Sequence, residues 1–273
     1  MTPEQIDRVT TNKFLMTPQK AQQLLNCNTK NRKSSDLAVS LYKRDMSASN
    51  FMLNGTTVCM SDTGVLLDGQ QRLMACVQSG KPFWTILVEN LPEEAILTID
   101  SGKKRTYGDR LKINGYENYN SLAATIKMVA LIAVRNAKDT GYTTSELDEI
   151  LNKHPNIVES VTKCRKTYHK ADNLFSAMHY VGMATGYEDQ INEFIRTWRD
   201  GQINYENDPV VYIRNKLDHD SRQKNGKMTT VTRMKLIMLS WHKFKNFHPL
   251  KSAQISNDGF YMDDWDAKKC GIK

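Results

Sequence analysis

The stretch "GVLLDGQQRLMACVQSG", residues 64–80, sets the fold of the first part of the chain. A short apolar run breaks at Asp68 and Gly69. Gln70, Gln71 and Arg72 open a segment with apolar residues at helical spacing, and Gly80 with Lys81-Pro82 closes it. The pattern predicts a strand, a sharp turn at Gly69 and a helix. Backbone N–H groups in the first turn of that helix lack intrahelical partners, and the helix dipole adds partial positive charge. The helix mouth is therefore a candidate anion site, to which Arg72 adds a bidentate clamp for oxygen. Each dipole contact is worth only about 0.3–1 kcal/mol at an exposed position, so several donors must act together. Asp68 does not suit a phosphate ligand, because its charge repels one unless a metal or a proton intervenes. An acid beside a phosphate site is what phosphoryl transfer needs, as a magnesium ligand or as a base for a hydroxyl. The same residues also allow a purely structural reading. Asp68 caps the helix, Gly69 makes the turn and Arg72 pairs with Asp68.

Working outward, "TPQKAQQLL" (17–25) carries Thr17 as N-cap and Pro18 as first helical residue. "SSDLAVSLYKRDM" (34–46) reads as a helix with Leu37, Leu41 and Tyr42 on one side. "FMLNG", "TTVCMSD" and "GVLLD" read as strands joined by turns at Asn54-Gly55 and Asp62-Thr63-Gly64. "FWTILVENL" (83–91) is the strongest strand pattern, and "PEEAILTIDSG" a short helix running into a loop. Beyond about residue 115 the strands stop. Helical periodicity runs through "NSLAATIKMVALIAVRNAK", "TTSELDEILNKH" (Thr143 and Glu146 at capping-box spacing), "PNIVESVTKCRKTYHK", "NLFSAMHYVGMATG", "EDQINEFIRTWRDG", "DPVVYIRNKLDHD" and "TTVTRMKLIMLSWHKFKNF". The expected fold class is α+β: a small mixed domain over 1–110 and an all-α domain over 111–273, with the boundary near 106–118.

The 273 residues are 40% apolar and 25% charged, enough for a core and against wholesale disorder. The net charge of +8, shared by both halves, favours a polyanionic partner, nucleic acid ahead of a membrane surface. Cys27, Cys59, Cys76, Cys164 and Cys270 are odd in number and not at metal-ligand spacing, so buried thiols in a reducing compartment are expected. Cys76 falls on the core side of its helix and reads as packing. "MTPEQIDRVTTNKF" lacks the apolar core of a signal peptide, and no apolar run approaches membrane length. The expectation is a cytoplasmic protein, in the host cytoplasm for a viral one.

Two further constellations carry candidate chemistry. In "TIDSGKKRTYGDRL", Asp100, Ser101 and Gly102 precede Lys103, Lys104, Arg105 and Thr106, a turn that could close over phosphates or remain a basic surface loop. In "NTKNRKSS", Asn31 and Arg32 stand just before a helix, to orient a ligand or to cap. Lys163, Arg165 and Lys166 in "KCRKTYHK", Arg222, Lys224 and Lys227 in "SRQKNGK", and Lys243 and Lys245 in "WHKFKNF" are candidate nucleic-acid contacts. Two of these clusters interleave cations with aromatics, a composition that suits backbone contact with base stacking. Each could equally be a solvated face. The six histidines form no HExxH pair, and no GxSxG or Walker-type loop occurs.

In order, "NRKSS…LYKRDMSASNFMLNGTTV", "LLDGQQRLMACVQSGKP" and "TIDSGKKRTYGDRL" resemble the ParB/sulfiredoxin-like superfamily, above all its phage and prophage branch. The matching positions are Asn31 and Arg32, Tyr42 with Asp45 and Met46, Asp68 to Arg72, and Asp100 to Thr106. The resemblance covers about the first 110 residues. The helical tail is similar to the domain that follows in proteins predicted to be 5-hydroxymethyluracil DNA kinases. The resemblance implies a nucleotide site, with phosphates held by Gly69, Gln70, Gln71 and Arg72 and by Ser101 to Thr106. It implies ATP and Mg as cofactors, Asp68 and Arg72 as catalytic residues, and DNA as partner. The implied reaction moves a phosphoryl group to hydroxymethyluracil in DNA, a step in thymine hypermodification. The alternatives are a non-catalytic, ParB-like nucleotide-dependent DNA-binding protein and a ParB-like nuclease. The chain departs from the pattern at Gln71, where the branch has histidine. Glutamine keeps phosphate hydrogen bonding but cannot act as acid or base, which leaves Asp68 as the base candidate.

Overall fold

The computed structural model describes residues 1–99, 105–134, 141–165, 172–222, 228–253, 262 and 265–271. The fold is mixed α+β, a small four-stranded sheet with helices followed by an all-helical part. The chain divides into two compact units: Met1–Lys104 with Thr140–Ser145, and Arg105–Asp139 with Glu146–Lys273. Among the described residues no helix is long and apolar enough to cross a membrane.

The first unit opens with helix α1 (Pro3–Arg8), capped by Thr2. It continues through β1 (Thr10–Met16), α2 (Pro18–Leu25), α3 (Asp36–Ser47), β2 (Thr57–Ser61), β3 (Leu66–Asp68), α4 (Gln70–Ser79) and β4 (Phe83–Leu91), ending in a 3-10 turn over Glu93–Leu97. The sheet order is β1-β4-β2-β3. β4 lies antiparallel to β1 and parallel to β2, and β2 is antiparallel to β3. Helices α2, α3 and α4 bury one face of this sheet. Ala21, Leu24, Val39, Met46, Leu73, Ala75 and Cys76 from the helices meet Met16, Val58, Met60, Leu66, Phe83 and Leu87 from the strands. Cys76 is fully buried, as its helical position predicts, and burial pushes its thiol up to about 11.

Three local readings need correction. The segment 51–55 is not a strand. Phe51 instead turns its ring into an edge-on stack between Tyr42 and Phe83, and Gly55 takes the left-handed conformation. In α3 the buried residues are Val39 and Met46, while Leu37 remains 49% exposed. Strand β1, polar and exposed along most of its length, has no clear apolar alternation in "TTNKFLM" and was not expected from it.

The second unit contains α5 (Tyr107–Ile113), α6 (Tyr119–Val134), α7 (Thr144–Lys153) from Glu146 onward, α8 (Ile157–Cys164), α9 (Asp172–Ala184), α10 (Glu188–Asp200), α11 (Pro209–Arg222), α12 (Thr230–Lys245) and α13 (Ala267–Cys270). α9 packs against α6, α8 and α10, and α11 against α12. Phe175, Phe194, Trp198, Trp241 and Phe244 form one aromatic cluster in this core. Asp208, the acid before Pro209 at the head of "DPVVYIRNKLDHD", caps α11, accepting from Val210 N–H at 2.9 Å.

Two histidines lie in polar niches of this unit. His154 Nε2 donates to the Cys270 carbonyl at 3.2 Å, and its Nδ1 accepts from the Tyr180 hydroxyl at 2.7 Å. His179 Nε2 donates to Asn192 Oδ1 at 3.2 Å, and its Nδ1 accepts from Ser160 at 2.9 Å. Both rings are satisfied in the neutral form, and burial holds both below the ordinary histidine value. Unfolded histidines therefore take up protons at a higher pH than these two. Their contribution should be flat between about pH 7 and 8, and stability should fall as pH drops through the unfolded value near 6.5. Urea unfolding followed from pH 8 to pH 5 checks this, and His179→Gln should reduce the slope.

Candidate phosphate-binding site

β3 ends on Asp68 and α4 begins on Gln70. Gly69 between them has φ 102°, a left-handed value that glycine adopts without strain. A Cβ there would lie 2.9 Å from Val58 Cγ2, so the backbone also needs glycine for its close approach to β2. Gly69 is the N-cap of α4, and no side chain caps the helix. Asp68 is thus not the cap. The first N–H groups of α4 have no capping side chain.

Arg72 is 8% exposed and reaches inward. Its Nη2 donates to the Thr57 carbonyl at 2.6 Å and to Asp68 Oδ2 at 3.0 Å. Its Nη1 is buried without a hydrogen-bond partner. The guanidinium therefore braces α4 against the ends of β2 and β3, and Asp68 neutralises it while its own side chain stays 24% exposed. This matches the structural alternative for Arg72.

The Asn31-Arg32 segment is brought to the same place. The Asn31 amide donates to the Leu66 carbonyl and to Asn28 Oδ1, both at 2.7 Å. Leu66 N–H donates to the Cys27 carbonyl at 3.1 Å, so the free edge of β3 is covered by this segment. Gln70 Nε2 donates to the Arg32 carbonyl at 3.3 Å, which joins the segment to the first turn of α4. The Arg32 side chain is exposed and Gln71 is half-buried. Nearby, Glu93 accepts from Lys30 and from Thr63, and the Lys30 bond holds its carboxyl below the usual value.

Asp100, Ser101, Gly102, Lys103 and Lys104 lie outside the described residues, as do Lys166, Lys224 and Lys227. Arg105 is exposed. Thr106 belongs to a capping box on α5. Its hydroxyl accepts from Asp109 N–H at 3.2 Å, and its own N–H donates to Asp109 Oδ2 at 2.8 Å. Both residues belong to the second unit.

The remaining cationic candidates are spread over that unit. Lys163 is exposed on α8, and Arg165 just beyond it donates to Asn118. Arg222 closes α11, whereas Lys243 and Lys245 close α12. Arg233 near the start of α12 pairs with Asp220 near the end of α11 at 2.6 Å. Leu250, past α12, donates to Asn207 just before α11 at 2.9 Å. Arg222 and the pair Lys243 and Lys245 therefore sit at opposite ends of a hairpin, separated by the 14 residues of α11, about 21 Å. Lys245 lies 4.5 Å from the Tyr187 ring centroid, and Trp241 is fully buried, so the aromatics of "WHKFKNF" up to Phe244 serve the core.

The mouth of α4 fits phosphate oxygens through backbone N–H groups of its first turn. It does not by itself fit Mg²⁺, since its one carboxylate is already paired with a guanidinium and Mg²⁺ needs oxygen donors in octahedral array. No His/Cys/Asp/Glu cluster of metal-binding size occurs among the described residues. Sequence reasoning missed Thr57 as the partner of Arg72. A backbone carbonyl carries no residue signal, so nothing in the sequence points to it. Comparison of the chain with protein-family models, curated proteins and solved structures finds no match.

Replacing Arg72 by leucine removes the brace and leaves the Thr57 carbonyl without its donor. The expected loss is about 1–3 kcal/mol, read as a lower urea midpoint at unchanged slope. Lysine at 72 should recover only part of it, because an ammonium cannot reach the carbonyl and the carboxylate with the same planar geometry.

Proposed function

We propose that this chain is a phage-type DNA base kinase, binding ATP at the mouth of α4 and phosphorylating the hydroxymethyl group of 5-hydroxymethyluracil in DNA. The observation that carries the reading is the left-handed Gly69 turn with its uncapped helix, standing beside a partly exposed carboxylate. ATP, when bound, supplies the phosphoryl group. Backbone N–H groups of Gln70 and Gln71 would hold its phosphates, and the exposed Arg32 would offset their charge. Asp68 would take the proton of the attacking hydroxyl once a phosphate draws Arg72 away from it. The new bond joins the hydroxymethyl oxygen to phosphorus, the bond to the bridging oxygen breaks, and ADP leaves. The net charge of +8 supports a polyanionic substrate.

A second reading is favoured by one specific feature, the Asp68–Arg72 pair. An acid neutralised at rest has a structural reason to be there, and Gln71 offers no replacement base. That reading is a nucleotide-responsive DNA-binding protein without turnover. Transfer of label from γ-labelled ATP to hydroxymethyluracil DNA separates the two. The kinase predicts labelled DNA and a loss of about 10²–10⁴-fold in Asp68→Asn. Equal labelling by wild type and Asp68→Asn sinks it. Nucleotide-dependent DNA retention with no labelling supports the second reading.

A further inference from the structure

We propose that the open face of the first unit's sheet, centred on Trp84, is a stacking platform for unpaired bases of single-stranded nucleic acid. One sheet face is filled by α2, α3 and α4. In β4 the residues turned to that core are Phe83, Thr85 and Leu87, all buried. The alternate residues Trp84, Ile86 and Val88 face the other way. The register pairs Leu15 of β1 with Trp84 and Lys13 with Ile86, so these four share that outer face.

A single exposed aromatic is ordinary on a protein surface. Three features set this one apart. First, Trp84 is 47% exposed and Leu15 beside it 40%, on strands whose other faces are packed. Second, the Lys13 ammonium lies 5.4 Å from the indole centroid, so a cation already occupies the ring's π-face. Lys13 forms no ion pair among the described residues, and a base taking its place would release it to a phosphate. Third, neither β1 nor residues 81–88 contain a carboxylate, while Lys13 and Lys81 add positive charge. An apolar ring with Lys13 over its face, the nearest carboxylate along β4 being Glu89 five residues on, complements a base with its phosphate, and the net charge of +8 agrees.

The platform shares no residue with the α4 mouth, and it does not rest on phosphoryl transfer. It lies near that mouth, however. Ile86 pairs with Thr57, whose carbonyl holds Arg72. Trp84 is two residues along β4 from Ile86, so its Cα stands about 8 Å from that of Thr57 by strand geometry.

The test uses intrinsic fluorescence of the full chain. The other tryptophans, Trp198, Trp241 and Trp265, are 0%, 0% and 2% exposed, so quenching by a ligand reads Trp84. Titration with oligothymidylate should quench emission saturably, and added salt should weaken it. The same strand in duplex form, its bases already stacked, should leave emission unchanged. By anisotropy of a labelled strand, Trp84→Ala should bind about 5- to 150-fold more weakly. Trp84→Phe should keep most of the affinity and lose the fluorescence response. Thermal melting checks each variant. Should the alanine variant melt early, Leu15→Glu, a carboxylate at an exposed position beside the ring, should weaken the strand comparably. An unquenched wild type, equal quenching by duplex, or wild-type affinity in folded Trp84→Ala or Leu15→Glu overturns the proposal. So does a Trp84-dependent change of mass in solution without quenching, which would mark a protein-binding face instead.

Discussion

The guanidinium of Arg72 is the tie on which the first unit's site depends. It joins the opening carbonyl of β2, the closing carboxylate of β3 and the first turn of α4. Arginine cannot give up its charge, so a side chain 8% exposed needs an anion close by. Asp68 is that anion, one helical turn earlier in the chain. The close approach of Gly69 to Val58 completes the joint, since any Cβ there would push α4 away from β2. The order Asp-Gly-x-x-Arg is therefore a mechanical unit first: acid, hinge and brace in five consecutive residues.

That unit leaves the candidate site's donors in the backbone. The brace uses Nη2 and buries Nη1, so neither points to solvent at rest. The donors free at the mouth are the first N–H groups of α4, with the Arg32 side chain nearby. A buried, unpaired Nη1 costs about 1–3 kcal/mol, a penalty that a stronger anion could relieve by drawing the guanidinium outward. Such an exchange would uncover Asp68 at the moment a phosphate arrives. Binding and release of the acid would then be one event, which links the two readings of this site through a single ion pair.

How much of this was legible follows from where each signal resides. The strand-turn-helix at 64–80, the caps at Thr17 and Asp208 and the helical second half are written in periodicity and turn residues, and the structure has them. The Asn31-Arg32 segment was singled out by its residue types, but its role in covering β3 is a matter of register with Leu66. Thr57 was invisible because its contribution is a carbonyl. Strand β1 was missed because it is an edge strand, polar and exposed over residues 10–13, with its apolar residues confined to Phe14, Leu15 and Met16. It pairs with β4 along its length without the alternation that a half-buried strand shows.

The aromatic residues show why interleaving with cations is an ambiguous sign. In "WHKFKNF", Trp241 and Phe244 are three residues apart on a helix, and that spacing turns both to the core while Lys243 between them is not buried with them. The pattern that suggested base stacking is the pattern of an amphipathic helix. Trp84 stands in a stretch with no dense basic cluster, on a strand with alternating faces. Period two sends its neighbours Phe83 and Thr85 inward and leaves the indole outside, with Lys13 supplied by the adjacent strand. A ring and a cation meet on a surface here because register brings them together across the sheet, a relation no reading along the chain can display.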